Sequence, residues 1–160
     1  VYGVNIFLPT LIQRDEAYIV NISSILGLMS LPGQAAYNSS KAAVKAYTEA
    51  LKMELADSSI IVSSVHPGGI KTDIAVNARI GSNISEETKI RLIKQFDKLS
   101  YTTSKSASRN IIKGMKKRKR RIIIGIDAKI ADILIRVFPG SYEKLLGLEG
   151  QFKKFRERLN

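Results

Sequence analysis

Two short runs of apolar, largely β-branched residues, AYIVNIS (17–23) and SIIVSSVHP (59–67), flank a long stretch of helix-forming composition at 36–56. Nothing else in the chain narrows its fold as much. Continuous apolar strands lack the in–out alternation of a half-exposed sheet and belong to strands covered on both faces, hence to parallel pairing. Parallel neighbours need a crossover of a dozen residues or more. The 36–56 stretch, rich in Ala, Lys, Glu and Leu, supplies one as helix. RIIIGI (121–126) repeats the strand signal after two further helical stretches. One starts at Ser85-Glu86-Glu87, a capping serine followed by acids that suit a helix N-terminus. Thr103 or Ser104 caps the other, which places Ala107, Ile111, Ile112 and Met115 on one face.

The remaining segments fit around this frame. Residues 2–13 show helical spacing at Val4, Phe7, Leu8 and Leu11, with Pro9 awkward in the interior. Gly27, Pro32 and Gly33 mark a loop, residues 70–84 read as irregular, and helical pieces follow at about 128–137 and 141–147 before a charged tail. The fold expected is α/β, strand–helix–strand–helix–strand with right-handed crossovers. Three strands are few for an open sheet covered on both faces. The chain therefore reads as the C-terminal half of a doubly wound parallel sheet, begun in mid-helix.

Composition removes several classes of chemistry. The 160 residues contain no cysteine, which excludes a disulfide, a zinc–thiolate site and thiol catalysis within them, and one histidine, His66, which excludes a multi-His metal centre. No metal site is expected, and His66 reads as a packed strand residue. No apolar run is long enough to span a bilayer and no signal-peptide pattern opens the sequence, so a cytoplasmic location is the expectation. The net charge of +12 is lopsided, with +11 of it in residues 100–160. KGMKKRKRR (113–121) carries seven of these cations. Without interleaved aromatics to stack bases, it reads as a solvated helix end, cations suiting a helix C-terminus. No nucleic-acid partner is expected. In the tail, Phe152, Phe155 and Leu159, with Ile133, Leu134, Val137 and Phe138, form an apolar set under basic residues. Peripheral contact with an anionic membrane, or packing on a partner subunit, would use it.

One constellation carries chemistry: Ser24, Tyr37 and Lys41. Tyr37 and Lys41 are spaced i, i+4 at the start of the long helix and share a face. A free phenol, titrating near 10, is a poor base at neutral pH, but a neighbouring ammonium stabilises phenolate. Such a tyrosine can exchange a proton with a carbonyl or alcohol oxygen, and a serine at the end of the first strand can hold the same oxygen. A second Tyr-x-x-x-Lys match, Tyr101 with Lys105, straddles a helix start and reads as coincidence.

The segment IVNISSILGLMSLPGQAAYNSSKAAV (19–44) resembles the active-site segment of the short-chain dehydrogenase/reductase family. Ser24 stands thirteen residues before Tyr37 and Lys41 four after it, as in that family. VHPGGIKT (65–72) is similar to the family's Pro-Gly loop after the next strand. The resemblance implies a Rossmann-type fold and an oxidoreductase that transfers hydride between NAD or NADP and a small-molecule carbonyl/alcohol pair. Tyr37 would be the acid/base, and Lys41 would stabilise its phenolate and bond the nicotinamide ribose. Ser24 would position substrate. Pro67, Gly68, the backbone of Ile70 and the Thr72 hydroxyl would line the nicotinamide site, the Pro-Gly pair allowing close approach and exposing its amides. Residues 1–126 would be the C-terminal part of the nucleotide-binding domain, with the catalytic segment at 19–44 and a lid at 70–100. Residues 127–160 would be a helical basic extension. A homo-oligomer is implied, with the long helix as its contact face.

The sequence also departs from that pattern. None of its 11 glycines forms G-x-x-x-G-x-G or G-x-G-x-x-G, and the family's catalytic asparagine, which precedes the serine, is expected on a helix that starts before this stretch. Asn5 and Asn21 are both too close to Ser24, and Asn21 belongs on the strand. This 160-residue stretch is therefore expected to be inactive alone. The competing expectation is a non-enzymatic protein binding nucleic acid or anionic membrane through the basic last third. Ile74, Val76, Ile80 and Ile84 give residues 70–100 an apolar character suited to a hydrophobic substrate.

Overall fold

The computed structural model describes residues 1–78, 85–148 and 150. Helix α1 (Tyr2–Ile12) leads into strand β1 (Ala17–Ile22), a single 3-10 turn (Ile25–Gly27) and the long helix α2 (Ala35–Glu54). Strand β2 (Ile60–Pro67) is followed by the two-residue strand β3 (Ile70–Lys71), helix α3 (Glu86–Leu99), the two-residue strand β4 (Thr102–Thr103) and helix α4 (Ser104–Lys116). Strand β5 (Arg121–Ile124) and helices α5 (Ile126–Val137) and α6 (Tyr142–Leu145) complete the described elements.

The main sheet is parallel, in the order β1-β2-β5. Ala17 pairs with Ile60 and Ile22 with Val65, and Ser64 pairs with Arg121 and Pro67 with Ile124. β2 is therefore the central strand, and six of its eight residues are buried. On one face Ala17, Ile19, Ile60 and Val62 pack with Leu51 of α2, with Val4, Leu8 and Leu11 of α1 alongside. On the other, Val65, Ile122 and Ile124 pack with Ala107 and Ile111 of α4. This two-sided cover is why the strands are apolar throughout rather than alternating. Ser63, buried in β2, donates its hydroxyl to the Lys119 carbonyl at 2.8 Å, so its polarity is satisfied.

The helix ends follow the sequence signals. Ser85 accepts from the Thr88 amide and Thr103 from the Ser106 amide, each an N-cap side-chain bond. α1 runs through Pro9, which has no N–H to give to the preceding turn.

Two expectations need correction. Residues 70–84 are not wholly irregular, because Ile70 and Lys71 pair in parallel with Thr102 and Thr103. The three-stranded main sheet is thus accompanied by a second, two-stranded sheet that closes the base of the excursion from 72 to 101. The last strand of the main sheet stops at Ile124 rather than 126, because Gly125, at φ 99°, caps α5 and Ile126 opens it.

The C-terminal third is arranged by charge. Arg121 bonds Glu49 of α2 at 3.0 Å and Asp132 of α5 at 3.5 Å, tying three elements together. Arg118 bonds Glu16 at 3.1 Å. The basic run at 113–121 is thus the end of α4, a turn and the first residue of β5, as the helix-end reading expected. On α5, Ile126, Ile130, Ile133 and Val137 are all exposed and recur at helical spacing, with Phe138 just beyond. Among the described residues no helix is long and apolar enough to cross a membrane. Phe152, Phe155, Leu159, Ile80 and Ile84 lie outside the described residues.

Candidate active site

In a parallel sheet with helical crossovers, the strands' carboxyl ends open into a crevice between loops. Ser24, Pro67, Gly68 and Gly125 all stand at that edge. The pairing of β1 with β2 extends one residue beyond the strand, the Ser23 amide donating to the Val65 carbonyl at 2.8 Å. Ser24 is nearly buried and extended, at φ −161° and ψ 164°. It caps the 3-10 turn, its Oγ accepting from the Leu26 amide at 3.1 Å.

The start of α2 is anchored to the same edge. The Ser23 hydroxyl donates to the Lys41 carbonyl at 2.8 Å. Asn38, buried in the first turns, donates its amide to the Gln34 carbonyl at 3.2 Å and accepts from the Leu31 amide at 3.0 Å, fixing the loop that leads in. Tyr37 and Lys41 lie one turn apart. The Lys41 ammonium donates to the Ile22 carbonyl at 3.3 Å and sits 5.7 Å from the centre of the Tyr37 ring. At that distance a cation is attracted to an aromatic face. Lys41 therefore links the end of β1 to Tyr37, which is 42% exposed. Asn21 points elsewhere: it lies on β1 and donates to Thr48 of α2 at 3.0 Å. Asn5 is exposed on α1. Tyr101 precedes β4 while Lys105 is on α4, so the second Tyr-x-x-x-Lys match does not share a helix face.

The Pro67-Gly68-Gly69 turn is held more tightly than its sequence shows. The Gly68 amide donates to the Ile124 carbonyl at 2.9 Å, and the Gly69 amide donates to Asp127 Oδ2 at 2.8 Å. Both amides are engaged within the protein, which corrects the expectation that the Pro-Gly pair exposes them. The glycines answer a demand for space instead. A Cβ on Gly68 would run into the Asp127 carboxylate, and one on Gly69 into the Leu99 carbonyl. Ile70, half-buried in β3, and the exposed Thr72 follow directly.

Two contributors were not legible as such. Asp127 is 58 residues from Gly69, and only the fold brings them together. Its acidic position in the first turn of α5 was the one available signal. His66 was expected to be packed, and it is fully buried. It also reaches Ser24: Nδ1 lies 3.0 Å from the Ser24 carbonyl oxygen and Nε2 3.0 Å from Ser64 Oγ. Burial pushes its pKa below the ordinary histidine value. The bond to Ser24 and the Asp132 carboxylate oppose that push, and Arg121 and Lys45 reinforce it.

Comparison with known proteins gives consistent results. The family model described as short chain dehydrogenase matches residues 1–83. The protein SadH of Mycobacterium tuberculosis is 40% identical over 149 residues, which cover 91% of this chain and 53% of SadH. A Drosophila melanogaster protein named dehydrogenase/reductase SDR family protein 7-like is 33% identical over 141 residues, covering 84% of this chain and 40% of its own. This chain thus spans about half the length, or less, of these relatives. Among solved structures, a short chain dehydrogenase/reductase from Burkholderia phymatum in complex with NAD aligns with a TM-score of 0.65 and 25% identity, over 76% of this chain and 48% of that one. A short chain dehydrogenase from Burkholderia cenocepacia in complex with NADP aligns with a TM-score of 0.69 over 89% of this chain and 52% of that one; at 22% identity it speaks to the fold.

Proposed function

This chain belongs to the short-chain dehydrogenase family, and from that premise we propose that it carries the proton-transfer site of an NAD- or NADP-dependent oxidoreductase acting on a carbonyl/alcohol pair. The observation that carries the reading is the Lys41 ammonium, which bridges the Ile22 carbonyl and the Tyr37 ring at the strands' carboxyl edge. A cation fixed there favours a negative charge on the Tyr37 oxygen. In the oxidative direction, Tyr37 takes the hydroxyl proton of the alcohol; in the reductive direction it returns that proton to the carbonyl oxygen. Ser24 Oγ, at the end of β1, holds the same oxygen by a hydrogen bond and keeps it within reach of Tyr37. The nicotinamide, when bound, accepts or supplies the hydride.

The residues present suit such a cofactor. A Cβ at either glycine of the Pro67-Gly68-Gly69 turn would meet Asp127 or the Leu99 carbonyl, so the turn is packed close against the protein, and it stands at the same strand edge as Lys41. Lys41, with three N–H donors and one given to Ile22, has donors left for a ribose hydroxyl. Ile70 and Thr72 would complete the nicotinamide side. Because the Gly68 and Gly69 amides are already used, polar contacts to the ring would come from the Ile70 backbone and the Thr72 hydroxyl.

On this reading residues 70–100 form the lid, pinned at its base by β3 and β4, with Ile74 and Val76 exposed and ready to meet a hydrophobic substrate. Residues 1–126 serve the nucleotide-binding domain and 127–160 the extension, and α2 offers the contact face for a second copy. Replacing Lys41 by methionine in the intact protein tests the reading. Turnover of ketone or alcohol substrates, followed by NAD(P)H absorbance, is expected to fall about 10²-fold or more, together with weaker nucleotide binding. Unchanged turnover would refute it.

A further inference from the structure

We propose that His66 is a positioning residue that fixes Ser24 at the sheet edge through a neutral, Nδ1-protonated imidazole. The inference deepens the reading above and rests on it, since it assigns Ser24 a role in binding the reacting oxygen.

The tautomer follows from the partners. A carbonyl oxygen can only accept, so Nδ1, 3.0 Å from the Ser24 oxygen, carries the proton and donates it. In the neutral ring Nε2 is then an acceptor, and Ser64 donates its hydroxyl to it at 3.0 Å. Nothing else about the ring is free to vary, because His66 is fully buried in the central strand and Ser64 is buried beside it. The Ser24 carbonyl also accepts from the Gly27 amide at 3.0 Å. Two donors, one from the turn ahead and one from the neighbouring strand, thus lock the peptide plane after Ser24. That plane sets the start of the 3-10 turn on which Ser24 Oγ is oriented.

Protonation would leave the Nδ1–H bond to Ser24 in place as a charged donor, and its cost would fall on the Ser64 side and on the buried surroundings. Nε2 would become a donor, so Ser64 would have to turn its hydroxyl hydrogen away, and it has no second partner among the described residues. A positive ring would also sit in a buried site faced by Arg121 from β5 and Lys45 from α2, with Asp132 from α5 as the compensating acid. Glu49 of α2 is already paired with both Lys45 and Arg121. Burial comes first among these causes, and with both cations it holds the ring neutral, against the Ser24 bond and Asp132.

The test uses the intact protein labelled with ¹⁵N-histidine, with His66→Asn, His66→Leu and Tyr37→Phe variants. At pH 7.5 the His66 signal, assigned by its loss in the two His66 variants, is expected to show a protonated Nδ1 and an unprotonated Nε2. An imidazolium or the opposite tautomer would overturn the proposal, whether or not any variant folds. In kinetics, His66→Leu is expected to lower kcat roughly tenfold or more with little change in cofactor KM. His66→Asn keeps a donor where Nδ1 was, so it should recover most of that loss. A His66→Leu variant with unaltered kcat overturns the proposal while leaving the oxidoreductase reading intact, provided Tyr37→Phe is inactive. An active Tyr37→Phe would defeat the reading beneath it.

Discussion

The Asp127 carboxylate carries two different burdens. Oδ2 accepts from Gly69 at 2.8 Å, while Oδ1 is buried with no hydrogen-bond partner. Replacing Asp127 by alanine strips the Gly69 amide of its acceptor, and an unsatisfied donor costs about 1–3 kcal/mol. Removal of the orphaned Oδ1 offsets part of this, so a net loss of roughly 1 kcal/mol is expected from the urea midpoint. A midpoint at or above wild type would show that the clasp on Gly69 contributes nothing. His66 makes a prediction of opposite character. Its pKa is lowered in the folded state, chiefly by burial, so the unfolded chain binds the proton more readily. Its contribution to stability is therefore complete above the unfolded value of about 6.5 and is lost as pH falls below it. Urea midpoints measured from pH 7.5 to 5 should fall more steeply for wild type than for His66→Asn; parallel curves would contradict the assignment. Ser24, Tyr37 and Lys41 were legible as candidates because their spacing is informative. Asp127 and the His66–Ser24 bond were not, because they join residues 58 and 42 apart through contacts no local pattern encodes.

Elements were legible to the extent that they carry periodicity. β1, β2 and α2 were marked by apolar runs and helix formers, and α3 and α4 by Ser85 and Thr103 as caps. β3 and β4 were invisible, since two residues cannot display a period of two and their pairing spans the whole 72–101 excursion. The 3-10 turn after Ser24 was likewise read only as loop. The packing of α2 on β1 and β2 turns on Leu51, which is 5% exposed and packs with Ile19, Ile60 and Val62. Leu51→Ala should cost about 2–5 kcal/mol of unfolding free energy, measured by chemical denaturation. A loss below about 1 kcal/mol would mean that α2 is held by its polar anchors at Ser23 and Asn38 instead. The small β3–β4 sheet has four residues and little buried surface, so its amides should exchange with solvent well before those of β2. Equal protection in both sheets would show that the base of the excursion opens only with the whole domain.

At the scale of the molecule, the parallel sheet gathers Ser24, the Pro67-Gly68-Gly69 turn and Gly125 at one edge, and α2 brings Tyr37 and Lys41 to the same place. The opposite end of β5 carries the basic turn, tied down by Arg118 to Glu16 and by Arg121 to Glu49 and Asp132. Its charge is therefore partly spent on structure, and the non-enzymatic reading of the basic third gains no support from it. The short-chain dehydrogenase fold was legible from the order of the strands and the two motifs together, neither of which would have sufficed alone. The proton-transfer assignment is tested most directly by one comparison: turnover of Tyr37→Phe against wild type in the intact protein, with folding verified. The account predicts a fall in kcat of about 10²- to 10⁴-fold, since phenylalanine fills the same space but has no proton to exchange. Turnover within a few-fold of wild type would contradict it.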